Sequence, residues 1–244
     1  MKPKVSIIIP CYNAEKWIDQ SLRSALGQTY EDVEVIFVDN ESTDKSVEIA
    51  NSVKEDHPEL IIDSAPNIYP NCWDEGKEKG FSLSTGKYAI IMGADDFLDF
   101  GFIKNCMKYI LAAPSKIKAF QSHMHGVLND TGNIVRVSKH SYKSLGEFKE
   151  MCLEMCPVNT PTVIYNMELY RDGLLRAQPE KFGGAADYEL YCSMANNGIM
   201  IYPAPTWLGY YYRWHPDQAT WKVHEEEKNY DTMIQSYWGE KWKT

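Results

Sequence analysis

Three carboxylate side chains follow short apolar segments of the chain and could act together on one ligand. Asp39 directly follows one such segment, and Asp95 and Asp96 stand side by side after another. Carboxylates crowded at one place repel each other unless they share a cation or accept hydrogen bonds. The sequence therefore indicates a site at which a cation or a set of hydrogen-bond donors holds these three groups.

The elements that must position these carboxylates are strands that alternate with helices. Short runs rich in β-branched residues predict buried strands at residues 4–9, 33–38, 60–62 and 88–92. Helical patterns separate the strands, and we expect Asn13 to cap the first helix and Ser42 the second. This alternation predicts an α/β fold with a mainly parallel sheet flanked by helices. Ligands bind such sheets beyond the carboxyl ends of the strands, where Asp39, Asp95 and Asp96 follow.

The second half of the chain has a different pattern, which predicts a smaller mixed region. Segments 119–125 and 134–139 are expected to form a hairpin, and helices are expected near 145–155 and 187–195. A strand-like stretch, interrupted by two prolines, follows at 199–213. We expect one domain over 1–244, made of two halves (1–98 and 99–220) and a helical tail (221–244).

Composition and charge exclude some classes of protein. The net charge of −9 argues against nucleic-acid binding, because phosphate contacts need a basic surface. No apolar stretch approaches the roughly 20 residues that span a bilayer, and the N-terminus lacks the features of a signal peptide. We expect a cytoplasmic protein. For the tail, which carries Trp238 and Trp242, a solvent-exposed helix is favoured over contact with the inner face of a membrane. The oligomeric state stays open.

The ordered set of motifs resembles the family 2 glycosyltransferases, which have the GT-A fold. The resemblance rests on residues 5–13, 35–44, 84–96, 183–190 and 212–215, and it covers about residues 4–220. It implies an inverting transfer of a sugar from a nucleotide-diphosphate donor, with UDP favoured, to an acceptor hydroxyl. The acceptor would be a saccharide or a lipid-linked saccharide, in surface polysaccharide or glycolipid assembly. It also implies a divalent cation, Mn²⁺ or Mg²⁺. On this resemblance, residues 1–98 form the nucleotide-sugar half and residues 99–220 the acceptor and catalytic half.

The resemblance implies a role for each matching residue. Pro10, Tyr12 and Asp39 would hold the nucleobase. Asp95, Arg213 and His215 would bind the donor or its cation, with the last two on a loop that closes over the diphosphate. Lys77 stands with Glu78 where the family commonly has an Arg-Asn pair, and it would bind the donor in place of that pair. Asp96, with Asp95 as the second candidate, would ligate the cation. Asp187 would be the general base that takes the proton of the acceptor hydroxyl.

Three departures from the family pattern support an alternative function. Gly93, Ala186 and Ser193 stand where the family often has Asp, Glu and Arg. They favour, as the second hypothesis, a catalytically silent protein of the same fold that binds a sugar nucleotide. A nucleotidyltransferase is a weaker third hypothesis, because the loop after the first strand lacks the glycines of a phosphate-binding loop.

Overall fold

One large sheet forms the centre of the protein. The computed structural model describes residues 2–67, 75–218 and 229–243. In these parts the sheet has nine strands: β1 (Val5–Cys11), β2 (Val33–Asp39), β3 (Ile61–Ser64), β4 (Tyr88–Ile91), β5 (Phe97–Leu98), β6 (Ala119–Leu128), β7 (Ile134–Ser138), β8 (Ile164–Asn166) and β9 (Ile201–Trp214). Their order is β3-β2-β1-β4-β8-β6-β9-β5, and β7 pairs with β6.

The first half of the chain builds a parallel unit. β1 pairs with β2 and β4, and β2 pairs with β3, all in parallel. Strands covered on both faces need apolar side chains in both directions, and residues 5–9 of β1 are correspondingly all buried. Because the strands are parallel, their carboxyl ends meet at one edge of the sheet, which we call the carboxyl edge.

The second half extends the sheet with mixed pairing. β8 is inserted antiparallel between β4 and β6, and β9 then pairs parallel to β6. The register of β6 against β9 shifts twice near His123, where β9 carries two prolines and a glycine. The short β5 pairs antiparallel to β9, and the predicted hairpin is formed by β6 and β7. Six strands therefore run in one direction, which confirms the predicted α/β class with a mainly parallel sheet.

Helices cover both faces of this sheet. The described helices are α1 (Ile18–Leu26), α2 (Ser46–Asp56), α3 (Glu75–Leu83), α4 (Phe102–Ala112), α5 (Leu145–Cys152), α6 (Glu168–Arg171), α7 (Pro179–Phe182), α8 (Ala186–Asn196) and α9 (Tyr230–Lys241). One apolar core lies under α1, α2 and α4, and the other lies under α3, α5, α8 and α9. None of these helices is both long and apolar enough to cross a bilayer.

The prediction that Asn13 and Ser42 cap helices is wrong. α1 begins after Trp17 and α2 after Lys45, both without a side-chain cap. Asn13 has a positive φ of 53° and its Oδ1 accepts from the Thr43 amide, while the Ser42 hydroxyl accepts from the Asn13 amide. These polar side chains join the two loops that follow β1 and β2. Each side-chain oxygen accepts a hydrogen bond from a backbone amide of the other loop instead of from the first turn of a helix.

Candidate functional site at the carboxyl edge

A cavity of about 580 Å³ opens at the carboxyl edge of the sheet. It lies between the loop after β1, which carries Tyr12, and the turn between β4 and β5, which carries Asp95. The end of β9 closes one side with His215, and Thr160 and Pro161 form part of another wall. Segments from both halves of the chain therefore line one cavity, of the size expected for a small-molecule site.

The two adjacent carboxylates of the turn between β4 and β5 have different surroundings. Asp96 is 1% exposed. Its Oδ2 accepts from the Tyr210 hydroxyl at 2.7 Å and its Oδ1 from the Arg213 amide at 2.9 Å. Burial raises the pKa of Asp96, as does the neighbouring Asp95 carboxylate, whereas these two hydrogen bonds lower it. Asp96 thus ties β9 to the turn.

Asp95 instead pairs with His215 at the cavity. Its Oδ2 lies 2.9 Å from Nε2 of His215, and the Asp95 side chain keeps 25% of its surface exposed. The imidazole stacks on the indole of Trp17, with ring centroids 3.8 Å apart. Nε1 of Trp17 donates to Oδ1 of Asn129 at 2.7 Å. Asp95 therefore presents the more accessible carboxylate, next to a nitrogen ligand whose ring plane is held by Trp17.

Because Gly93 has no side chain, the carboxylates of Asp95 and Asp96 can lie close to its backbone. A Cβ at this position would lie 2.7 Å from Oδ2 of Asp96 and 2.8 Å from Oδ1 of Asp95. Real Cβ atoms do not approach that closely, so any larger residue would displace both carboxylates. The absence of the family's frequent Asp at this position is thus part of the local geometry of the turn.

Arg213 does not contact the cavity in the way the resemblance implied. It is 7% exposed, and its Nε donates to the backbone oxygen of Asp95 at 2.6 Å. Nη2 donates to Oε1 of Gln20 at 2.6 Å, and the guanidinium lies 5.0 Å from the centroid of the Phe97 ring. Burial lowers the pKa of Arg213. Its contacts join β9 to the turn and to α1, so its role in this structure is to position the turn.

On the nucleotide side, the predicted residues divide into two groups. Pro10, Tyr12 and Lys77 line the cavity, and Tyr12 is 47% exposed, which leaves a ring available for stacking. Asp39 is not among the described residues that line the cavity, and both its oxygens lie within 3.3 Å of the Ser42 amide. Cys11 also borders the cavity, and burial raises the pKa of its thiol to about 12, which excludes it as a nucleophile at neutral pH.

Asp187 is not among the described residues that line the cavity, but it contacts Thr160, which is. It stands in the first turn of α8, whose N-cap residue is Ala185. Oδ2 of Asp187 accepts from the Thr160 hydroxyl at 2.6 Å, and Oδ1 accepts from the Tyr188 amide at 2.8 Å. Because Thr160 lines the cavity, this carboxylate is held at the wall of the site.

Sequence reasoning missed the residues that hold the site together. Trp17, Asn129, Thr160 and Tyr210 all lie outside the motifs on which the family resemblance rests. The one available signal was chemical type, since hydroxyls and amides next to motif residues are candidate partners. Spacing gives no signal, because the side chains that these residues contact at the site lie at least 27 residues away in the chain.

The donor set for a cation is incomplete in the protein alone. In the described parts of the chain, no three side chains of Asp, Glu, His and Cys lie together in a way that could hold a metal ion. The expected cluster of Asp39, Asp95 and Asp96 is therefore not formed. One carboxylate and one imidazole, Asp95 and His215, are in contact at the cavity. Mg²⁺ sites commonly have few protein ligands and are completed by water and substrate phosphates.

Comparison with known proteins identifies the family. The model of glycosyl transferase family 2 matches residues 6–177, more than half of the chain. The chain belongs to this family, and the reaction class of the family is glycosyl transfer. An uncharacterized glycosyltransferase of Haemophilus influenzae is 27% identical over 237 residues, which cover 93% of this chain and 70% of that protein. The chondroitin synthase of Pasteurella multocida is 25% identical over 80% of this chain but only 19% of its own length.

Solved structures confirm the GT-A fold. The structure of Staphylococcus aureus TarS residues 1–349 with UDP has a TM-score of 0.69 at 20% identity, covering 96% of this chain and 70% of that one. A mannosyltransferase of Pyrobaculum calidifontis, with GDP-Man and Mn²⁺, has a TM-score of 0.59 at 17% identity. It covers 97% of this chain and 69% of that one. The chain spans 27% and 30% of two rickettsial relatives.

Proposed function

We propose that this protein transfers a sugar from a nucleotide-diphosphate donor, UDP-type favoured, to an acceptor hydroxyl with inversion. The observation that carries the proposal is the single cavity at the carboxyl edge. It brings the exposed ring of Tyr12, the Asp95–His215 pair and Thr160, the hydrogen-bond partner of Asp187, around one space. A nucleobase site, a diphosphate site and a base are the parts that this reaction needs.

The ligands of related structures support the choice of donor class. TarS has been solved with UDP and with UDP-GlcNAc, and the Pyrobaculum enzyme with GDP-Man and Mn²⁺. Chondroitin and hyaluronan synthases are among the curated relatives, which supports a saccharide or a lipid-linked saccharide as acceptor. Surface polysaccharide or glycolipid assembly, in the cytoplasm or at the inner face of the membrane, is the corresponding cellular role.

In the proposed donor site, Tyr12 stacks on the nucleobase beside Pro10, and Lys77 faces the negatively charged part of the donor. Asn40 and Asn67 also line the cavity and supply amide groups for the base or ribose. Asp39 acts on the nucleobase site indirectly, because its carboxylate accepts from the Ser42 amide and so orders the loop after β2.

The residues present fit a divalent cation whose coordination is completed by the donor. Asp95 supplies a carboxylate and His215 an imidazole nitrogen, and both border the cavity. The ion, when bound, neutralises the charge that develops on the leaving diphosphate. The family pattern implied Asp96 as the first candidate for the ligand of this ion. The fit is better for Asp95, because both Asp96 oxygens already accept hydrogen bonds from Tyr210 and Arg213.

Asp187 acts as the general base in this proposal. The acceptor hydroxyl gives its proton to the Asp187 carboxylate while its oxygen forms a bond to the anomeric carbon. The bond from that carbon to the diphosphate breaks on the opposite face, which inverts the configuration. The hydroxyl of Thr160 holds Oδ2 of Asp187 at 2.6 Å and so orients the carboxylate before the acceptor arrives.

Two observations favour the second candidate, a catalytically silent binding protein. The Asp95 carboxylate is already paired with His215, and Ala186 and Ser193 stand where the family often has charged residues. Such a protein would bind the donor without turnover. The two candidates differ only in the transfer step, so a measurement of turnover separates them.

The test is a screen of nucleotide sugars with Mn²⁺ or Mg²⁺ that follows release of the nucleoside diphosphate, with saccharide and lipid-linked acceptors added. We expect turnover with at least one UDP-sugar for the wild type and a loss of turnover for Asp187→Asn. Tight binding of a nucleotide sugar without turnover under any of these conditions would support the silent protein. A donor that turns over equally in Asp187→Asn would contradict the proposed base.

A further inference from the structure

A second cavity lies at the opposite edge of the sheet, beside the amino ends of β6 and β9. Its volume is about 280 Å³. Lys116 and Lys118 come from the segment before β6, Lys143 and Ser144 from the segment before α5, and Tyr202 from the start of β9. The seven-residue β1 spans about 20 Å between the two edges, so this cavity is remote from the site described above.

The lining of this cavity is strongly basic in an acidic chain. The described residues that line it include three lysines and no Asp or Glu, although the chain has a net charge of −9. Lys118 forms an ion pair with Glu168. Lys116 and Lys143 form no ion pair with any described residue, and the Lys116 ammonium lies 5.6 Å from the centroid of the Tyr202 ring. Two ammonium groups next to a concave surface therefore have no anionic partner among the described side chains.

The start of α5 borders this surface, and a capping box between Ser144 and Glu147 already pairs two of the amides there. The Ser144 hydroxyl accepts from the Glu147 amide at 3.1 Å, which fixes the first turn of the helix. The first amides of a helix have no intrahelical acceptor, and together with the helix dipole they favour an anion. Oε2 of Glu147 accepts from the Lys143 amide, so this carboxylate offsets part of the dipole. The lysines are therefore the main source of attraction for an anion.

The remaining lining is apolar and comes from Leu145, Ile199 and Met200. A ligand that uses the whole cavity would have a charged group against the lysines and an uncharged body against these side chains. Phosphate is the biological anion that several lysines and helix amides bind together.

We propose that this second cavity binds a phosphate group, carried by a small phosphorylated molecule or by a lipid headgroup. Its ligand is distinct from the sugar-nucleotide donor, because the cavity contains no part of the carboxyl edge. The proposal does not depend on the assignment of the reaction, since it rests on the lysines and the start of α5 alone.

The test uses amide chemical shifts of the full chain titrated with inorganic pyrophosphate in EDTA, which suppresses cation-dependent binding at the carboxyl edge. We expect saturable shifts at Leu145 and Gly198. The double variant Lys116→Gln/Lys143→Gln should bind at least about tenfold more weakly, because two charge-assisted contacts are lost. Lys104→Gln/Lys108→Gln on α4 removes the same charge elsewhere and should bind within about twofold of wild type. Both double variants change exposed lysines, so the fold should be retained.

Absence of saturable shifts at millimolar pyrophosphate, or equal weakening in both double variants, would overturn the proposal. Sedimentation with vesicles then distinguishes the sources of the phosphate. If vesicles of anionic phospholipid retain the wild type and the Lys104/Lys108 control but not the Lys116/Lys143 variant, the phosphate is that of a lipid headgroup. If pyrophosphate binds and such vesicles do not, the ligand is a soluble phosphorylated molecule.

Discussion

The proposed donor half (residues 1–98) and the proposed acceptor half (residues 99–220) contribute to the candidate site in different ways. In the donor half, Tyr12 and Asp95 follow strands that are adjacent and parallel, so the sheet alone brings their loops together. In the acceptor half, Asp187 is held by Thr160, and its element pairs with no strand. The comparison teaches that a parallel sheet brings the proposed nucleotide-binding loops together from local sequence, whereas the position of the proposed base depends on one contact between two distant segments.

The largest expected effect is that of Asp187→Asn, which tests the acceptor half alone. The amide keeps the size of the side chain but cannot take a proton. Asp187 is half-buried, unlike Asp96, and the new NH₂ group can donate to the Thr160 hydroxyl, so little stability should be lost. Transfer should fall by roughly 10²- to 10⁴-fold, while the affinity for the nucleoside diphosphate and the melting temperature stay near those of wild type. Rates with a saturating donor and calorimetric binding measure the two properties separately. Glu189→Gln is the matched control, because Glu189 faces Lys181 and Lys241 on the other side of α8. A larger loss in the control than in Asp187→Asn would show that the base is misassigned.

Asp95→Asn tests the donor half. A nucleoside diphosphate should raise the melting temperature of the wild type only with a divalent cation. At 100-fold excess of ligand over Kd, the corresponding gain in the free energy of unfolding is about 2.7 kcal/mol. Asp95→Asn should lose this cation-dependent part and keep its stability without ligand.

The neighbouring variant Asp96→Asn sharpens the same measurement. It places an amide where both oxygens accept hydrogen bonds, so the free energy of unfolding should fall by about 1–3 kcal/mol. If Asp96→Asn loses the cation effect and Asp95→Asn retains it, Asp96 is the ligand and our reassignment is wrong.

Thr160→Val tests whether the contact between segments positions the base. The change removes the hydroxyl that donates to Asp187 and keeps the shape of the side chain. We expect kcat to fall by about tenfold, the scale of one hydrogen bond to a charged group, with donor affinity unchanged. Thr160→Ser should recover most of the rate. Equal rates in the valine and serine variants would remove Thr160 from the positioning of Asp187.

The smallest expected effect concerns the pH dependence of stability. Burial raises the pKa of Glu189, and Lys181 and Lys241 oppose this. Because the folded state binds this proton more tightly than the unfolded state, Glu189 contributes a decrease in the free energy of unfolding as the pH rises from about 4.5 through the folded pKa. Glu189→Gln lacks this contribution, so its stability relative to wild type should increase over that window, by at most about 2 kcal/mol. Chemical denaturation at a series of pH values measures the difference, and parallel curves would contradict it.

The sequence alone determined the fold class and the residues at the carboxyl edge of the parallel unit. Strands that are buried on both faces consist mostly of apolar residues, so residues 5–9 and 35–38 could be predicted as strands from their composition. The loops that follow such strands meet at one edge whatever the details of packing. Pro10, Tyr12 and Asp95 could therefore be assigned to one site before any contact was known.

Only the tertiary structure decided how Asp95 and Asp96 differ. The two residues are adjacent in the chain, yet one borders the cavity beside His215 and the other is bound by Tyr210 and the Arg213 amide. That difference depends on β9, which pairs with β5 across more than a hundred residues of chain. Three further features also depend on tertiary contacts. They are the insertion of β8 between β4 and β6, the contact of Thr160 with Asp187, and the lysine-lined cavity. Each is a contact between segments that no local pattern links, because backbone pairing and burial of the whole sheet set their positions.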